Sequence, residues 1–344
     1  ALEFRRGSLG SGSRAKALGL ETIGIHDNFF HNGGNSIKSI QLTHLAAEQH
    51  ILLSPHQIMQ CPTIASWIAT YGDPLSSPKK NIEQQAMEHL QAPILSFNTE
   101  NKNSHIFIIH PGAGGPLDWC MELAQSLSLS TPFYIFDSYN LYHLDKPKKT
   151  LKELAEHYVK ALTIIQSKGP YRLLGWSLGG AIAYAMAQQL QSDHYQVSHL
   201  ALIDSDLPTD VQSRVLAKFD DQTSYQQALT EISSITDPTS LSILSELMLI
   251  EYKLFDGFKP SRLNYTSAFL AKAIHPLEVN NPTVNQTLSR YRKILNRPDG
   301  GYSDYLPDLT IHPYSANHMS IMKPPVLNQL ANDLSHFLMD SPTE

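Results

Sequence analysis

The sequence predicts a small all-helical bundle followed by a mostly parallel α/β sheet, with helices on both faces and a helical insertion late in the chain. Three observations carry this. Helical periodicity runs to Tyr71-Gly72-Asp73-Pro74, where breakers end it. Beyond the linker, apolar runs of strand length alternate with helical patterns, and runs that are apolar throughout belong to a parallel sheet covered on both faces. From about Leu207 the alternation gives way to helical patterns alone, and it resumes only at Leu309-Thr310-Ile311.

The elements follow in order. Residues 1–14, with Gly7-Ser8-Leu9-Gly10-Ser11-Gly12-Ser13, are small and polar and read as a flexible leader or fusion scar outside the fold. Residues 15–72 form the bundle: the last turn or two of a first helix at 15–20, a second helix over 36–50, a short third over 55–59 and a fourth over 63–71, with Ile64, Trp67 and Ile68 at core spacing. Residues 73–103 read as a linker that includes a short helix at 81–90 and a strand at 94–97. In residues 104–344, strands are expected at 106–109, 133–136, 171–174, 200–203 and 309–311, and helices at 151–167, 181–190 and about 325–338. The stretch from about 207 to 304 holds helical patterns such as 241–254 and 287–295 and no clear strand, as expected of a lid lying over the sheet.

Composition narrows the function classes. The chain has 344 residues, enough for two domains, and 42% of them are hydrophobic, enough for two cores. Net charge is −6 and no basic run exceeds the modest Lys146-Pro147-Lys148-Lys149, so neither nucleic acid nor an anionic membrane is an expected partner. Cys61 and Cys120 lie far apart without zinc spacing, which points to reduced thiols and a cytoplasmic location. The 16 histidines are scattered without an acidic partner pattern, so no metal is expected, and no apolar stretch is long enough to span a bilayer.

The chemistry concentrates in a few motifs. Gly175-Trp176-Ser177-Leu178-Gly179-Gly180 follows the strand at 171–174 and opens an Ala-rich helix. A serine on such a turn is pushed out of the sheet, and glycines two before and two after it avoid collisions with the neighbouring backbone. Ser177 is therefore the candidate nucleophile, and the amide of Leu178 at the positive end of the helix is one candidate oxyanion donor. A nucleophilic serine needs a base and a group to orient it, in the order serine, acid, histidine. Asp204, at the end of the strand Leu200-Ala201-Leu202-Ile203, is the favoured acid and Asp206 the runner-up. His318, in the small-residue loop Ser315-Ala316-Asn317-His318-Met319-Ser320, is the favoured base over His312, which sits at a strand end before Pro313. The second oxyanion amide is assigned to Ala113, in the turn Pro111-Gly112-Ala113-Gly114-Gly115 after the strand at 106–109; a phosphate-binding role for that turn lacks the G-x-G-x-x-G or Gly-Lys-Ser/Thr spacing.

A second motif lies in the bundle. Asp27-Asn28-Phe29-Phe30-His31-Asn32-Gly33-Gly34-Asn35-Ser36-Ile37 resembles the attachment segment of peptidyl carrier proteins from non-ribosomal peptide synthetases, in which the matching serine carries phosphopantetheine; Asn35 stands where family members more often have His or Asp. The resemblance implies a phosphopantetheine arm on Ser36. Physically, two phenylalanines anchor a loop, two glycines turn it, and Ser36 lands at a helix N-terminus, where free amides stabilise a phosphodiester; an ordinary N-cap serine would look similar. From about Ser104 onward, His110-Pro111-Gly112, the Gly175–Gly180 motif, Leu202-Ile203-Asp204-Ser205 and Asn317-His318 resemble a type I thioesterase, an α/β-hydrolase fold. Carrier followed by thioesterase is the termination module of such a synthetase. The resemblance implies release of an acyl or peptidyl chain from Ser36 through Ser177, by hydrolysis or macrocyclisation. It implies as partners upstream condensation and adenylation modules, a phosphopantetheinyl transferase and the carrier-bound substrate. An editing or stand-alone acyl hydrolase, or a non-catalytic docking module, are the alternatives.

Overall fold

The computed structural model describes residues 12–34, 36–47, 51, 53, 57–58, 61–71, 82–100, 105–112, 117–127, 129–207, 238–278 and 297–339. The N-terminal bundle contains α1 (residues 12–18), α2 (Ser36–Ala47) and α3 (Ile64–Tyr71) around a core that includes Phe29, Leu42, Ile58 and Trp67. The fold begins earlier than composition suggested. Ser13 and Arg14 are buried, Ser13 Oγ donates to Leu45 O and the Arg14 guanidinium donates to Pro62 O at 2.7 Å. Small polar residues at 12–14 were assigned to the leader, yet one long side chain reaching a carbonyl, with its guanidinium 5.9 Å from the Phe29 ring, suffices to hold them in the bundle.

The second domain also starts before its expected boundary at 104. Helix α4 (Ile82–Leu90) buries Ala86 and Leu90, and β1 (Ile94–Phe97) pairs antiparallel with β3 (Phe133–Phe136), so 82–97 belong to the sheet domain rather than to a linker. The remaining elements are β2 (Ile106–Ile109), α5 (Leu117–Ser126), α6 (Tyr139–Tyr142), α7 (Leu151–Ile165), β4 (Tyr171–Trp176), α8 (Leu178–Ser192), β5 (Val197–Ile203), α9 (Pro238–Lys253), β6 (Ser267–Ala273), β7 (Asp308–Tyr314), a 3-10 turn (Ser320–Met322) and α10 (Val326–Met339). Strand order among the described residues is β1-β3-β2-β4-β5-β6-β7, parallel throughout except for β1.

Each central strand feeds both faces, because side chains alternate along it. Phe107, Ile109, Leu173 and Leu202 pack with α7 and α8 on one face, while Ile106, Ile108, Leu174 and Ile203 pack with α5 and α10 on the other. Helix α7 starts at a capping box in which Thr150 and Glu153 satisfy each other's backbone amides, and its buried stripe Leu151, Leu154, Tyr158, Leu162 and Ile165 has helical spacing.

Strand β6 corrects the expectation of a strand-free lid over 207–304. It lies between β5 and β7, so the sheet resumes at Ser267, well before Leu309. Its sequence Ser-Ala-Phe-Leu-Ala-Lys-Ala holds no β-branched residue and three alanines, a composition that favours helix until neighbouring strands bury it. Helix α9 confirms a helical segment in the insertion, and the pattern at 287–295 lies outside the described residues, as does most of the short helix expected at 55–59.

Candidate active site

Strand β4 delivers Ser177 with φ 57° and ψ −126°, a left-handed backbone that side chains rarely adopt, held by the Ser177 amide donating to Ile203 O at 2.9 Å. The glycines around it are there because nothing larger fits. A Cβ on Gly175 would strike the Gly179 carbonyl, and one on Gly179 would lie 2.5 Å from Ile109 O and 2.6 Å from His110 O.

Asp204 follows β5, also at positive φ (37°), with its amide bonded to Ala271 O at 2.7 Å. His318 sits on a loop fixed by Asn317, whose Oδ1 accepts the amides of Met319 and Ser320 and so caps the 3-10 turn. These elements bring the three residues together. His318 Nδ1 donates to Asp204 Oδ2 at 2.7 Å, which leaves Nε2 to accept from Ser177 Oγ at 3.0 Å. The Trp176 ring lies 5.3 Å from the imidazole and walls it on one side.

Burial alone would push the Asp204 carboxyl up, but the bond and charge of His318, the charge of Lys272 and the amide of Ala273 outweigh it and hold it below the usual carboxylate range. Asp206, the runner-up, is turned elsewhere: its Oδ1 takes the Lys272 ammonium at 2.8 Å. His312 stacks on Phe269 at 4.3 Å. Lys272 was not foreseen, because its strand was not.

Of the two expected oxyanion donors, Leu178 opens α8 beside Ser177. Ala113 lies outside the described residues, but Gly112 packs so tightly on Leu178 that a Cβ there would be 3.1 Å from Leu178 Cβ. The turn is held from behind. His110 is buried, its Nδ1 donates to Pro111 O at 2.8 Å, and its Nε2 therefore accepts from the Tyr158 hydroxyl at 2.9 Å. Burial brings this imidazole down to about 4, against the bond to Pro111, so it is neutral.

Beyond Tyr158 lies a buried carboxyl that sequence reasoning missed. Asp137 accepts from the Tyr142 hydroxyl at 2.7 Å and from the Ser138 amide, and Tyr142 Oη also lies 3.2 Å from Leu53 O of the bundle. Burial pushes Asp137 up to about 6 from its ordinary 3.8, with those bonds opposing. A carboxyl that holds its proton more tightly when folded loses stability as pH rises through that interval. Asp137→Asn is therefore expected to stabilise the protein at about pH 8, by on the order of 2 kcal/mol, and to do little at about pH 4. Urea unfolding at the two pH values checks it; an equal effect at both would mean the carboxyl does not titrate with folding.

In the bundle, the attachment loop has the form the motif demands. Phe29 is fully buried, Gly33 has φ 86°, a Cβ on Gly34 would collide with the Phe29 ring, and the loop leads to Ser36, the first residue of α2. A helix start reached through a tight turn fits a phosphodiester on that serine. Helix α2 packs against α6 and α9 of the second domain.

Comparison with known proteins agrees with this division. The phosphopantetheine attachment site family model matches residues 15–70, and the thioesterase domain family model matches residues 104–253. The dimodular nonribosomal peptide synthase of Bacillus subtilis (strain 168) is 31% identical over 55% of this chain and 8% of its own length. Indigoidine synthase of Dickeya dadantii (strain 3937) is 26% identical over 93% of this chain and 22% of its own length. The chain thus spans less than a quarter of either relative. Among solved structures, the NocB thioesterase domain in covalent complex with a fluorophosphonate nocardicin G analog superposes with a TM-score of 0.56 at 22% identity, covering 72% of this chain and 100% of that one. The four-domain nonribosomal peptide synthetase AB3403 superposes with a TM-score of 0.55 at 20% identity, covering 96% of this chain and 26% of that one. At these identities the structural likeness is one of fold. In this order the two family models mark a phosphopantetheine attachment segment followed by a thioesterase domain, and the matched relatives include a nonribosomal peptide synthase.

Proposed function

We propose that this chain ends a peptide or acyl assembly line: a chain held as a thioester on Ser36 is transferred to Ser177 and then released. The observation that carries this is the hydrogen-bonded series Asp204, His318, Ser177 on the same polypeptide as a carrier loop. Phosphopantetheine on the Ser36 hydroxyl supplies the thiol that forms the thioester. Ser177 Oγ attacks the acyl carbonyl as its proton passes to His318 Nε2, and Asp204 steadies the imidazolium. The amides of Leu178 and Ala113 receive the developing oxyanion. Collapse breaks the carbon–sulfur bond, His318 returns its proton to the departing thiol, and the chain remains as an ester on Ser177. Water, or an amine or hydroxyl of the acyl chain, then loses a proton to His318 and attacks the ester, giving a linear acid or a ring while Ser177 regains its proton. Condensation and adenylation modules upstream would build the chain, and a phosphopantetheinyl transferase would add the arm. The buried thiols of Cys61 and Cys120, neither in a disulfide, support a reducing, cytoplasmic setting. Among the described residues no helix is long and apolar enough to cross a membrane.

The test is to load the full chain with acyl-phosphopantetheine, using a phosphopantetheinyl transferase and an acyl-coenzyme A, and to follow intact protein and products by mass spectrometry. The acyl mass is expected to leave the protein as free acid or ring appears. An acyl arm that persists as long as it does in Ser177→Ala would refute the reading.

A further inference from the structure

Behind His318 the chain places one more carboxylate and one ammonium than an acid–histidine–serine series requires. Lys272, near the end of β6, holds its Nζ 2.8 Å from Asp206 Oδ1 and 3.7 Å from Asp204 Oδ1, and the three side chains are 14%, 24% and 11% exposed. Asp204 divides its oxygens: Oδ2 faces His318, while Oδ1 accepts the Ala273 amide and faces Lys272. Burial pushes the Asp206 carboxyl up, and the charge and hydrogen bond of Lys272 oppose it.

We propose that Asp206 and Lys272 act as a charge-balancing pair of positioning residues for His318: Asp206 draws the ammonium off Asp204, and Lys272 cancels the second carboxylate. The inference rests on the reading of Ser177, Asp204 and His318 as the catalytic set. With both present, the three charges behind the imidazole sum to one negative charge. Without Lys272 they sum to two, which favours the imidazolium, a form unable to take a proton from Ser177. Without Asp206 they sum to zero, and the ammonium is free to close on Asp204 and compete with His318 for it. A unit charge several ångströms away in a partly buried site shifts a titration by about one pH unit. Among the described residues, other titratable groups on the surrounding elements include Tyr302 beyond Ser205, Glu251 of α9 near Gly112, Lys323 over Trp119, His275 against Ser315, and His312 and Tyr314 of β7, which pair with Ala271 and Ala273 of β6. All of them stay in place in the variants below.

The experiment measures the rate of fluorophosphonate labelling of Ser177, and of acyl-thioester hydrolysis, against pH in the full chain. Lys272→Met is expected to move the acid limb up by about one pH unit and Asp206→Asn to move it down by a similar amount. The double variant, which restores one negative charge, is expected to bring the limb back to the wild-type position. Single variants that shift the limb in the same direction or not at all, or a double variant that stays displaced, overturn the pairing. Circular dichroism identifies a variant that fails to fold; the charge-balanced double and the remaining single then carry the test by the same criteria. Ser177→Ala separates the two readings. If it retains hydrolysis, the catalytic assignment fails; if it loses hydrolysis while the limbs stay put, only the charge pair fails.

Discussion

Ser177→Ala is expected to slow release of the acyl chain by roughly three to six orders of magnitude while leaving the carrier fully loadable. The size follows from what is removed. Without Oγ no ester can form, and release is left to direct attack on the thioester by water, a far weaker and unpositioned nucleophile, with His318 and the oxyanion amides still in place. His318→Ala should match it within an order of magnitude and should also stop fluorophosphonate labelling of Ser177, because the hydroxyl proton leaves along the 3.0 Å bond to His318 Nε2. Chase of a preloaded acyl arm, monitored by mass spectrometry, gives both rates. Normal release from Ser177→Ala would place the nucleophile elsewhere.

Ser36→Ala is expected to abolish arm attachment outright. A phosphopantetheinyl transferase with coenzyme A should add one phosphopantetheine to the wild-type chain and none to the variant, as read from intact mass. The neighbouring serine cannot substitute: Ser39 is one turn on in α2 and fully buried. The loop is set by Phe29 in the core and by the turn at Gly33 and Gly34. Ser36→Ala should therefore keep its helical content, and modification that survives the substitution would remove Ser36 from the attachment site.

The parts of this molecule that were legible in its sequence are those in which one residue type has one physical use. Glycines at 175 and 179 announce a backbone crossing, which the structure places against Gly179 itself and against Ile109 and His110. The apolar runs at 106–109, 133–136 and 171–174 announce buried strands, and each is one. Asp204 was separable from Asp206 by its place at a strand end, and the structure gives His318 to Asp204 and Lys272 to Asp206. What stayed hidden depends on neighbours distant in sequence. β6 is a strand because β5 and β7 flank it, not because alanine-rich Ser267–Ala273 prefers extension, and Lys272 was invisible with it. Arg14 looked like part of a polar leader until Pro62 O and the Phe29 ring were seen to receive it. Asp137 resembled any acid after a strand, and only its burial with Tyr142 sets it apart.

The backbones at Ser177 and Asp204, φ 57° and 37°, lie where side-chain-bearing residues are uncomfortable, at the tips of adjacent strands. Each such conformation costs on the order of 1–3 kcal/mol, which the hydrogen bonds to Ile203 O and Ala271 O and the packed sheet must offset. The most heat-resistant version of this fold is therefore not the most active one. Glycine is the residue that both backbones would accept without strain, and it is also the residue that would erase the nucleophile at one position and the orienting acid at the other. Selection for endurance and selection for turnover pull against each other at these two positions, and the sheet has to be stable enough to carry the difference.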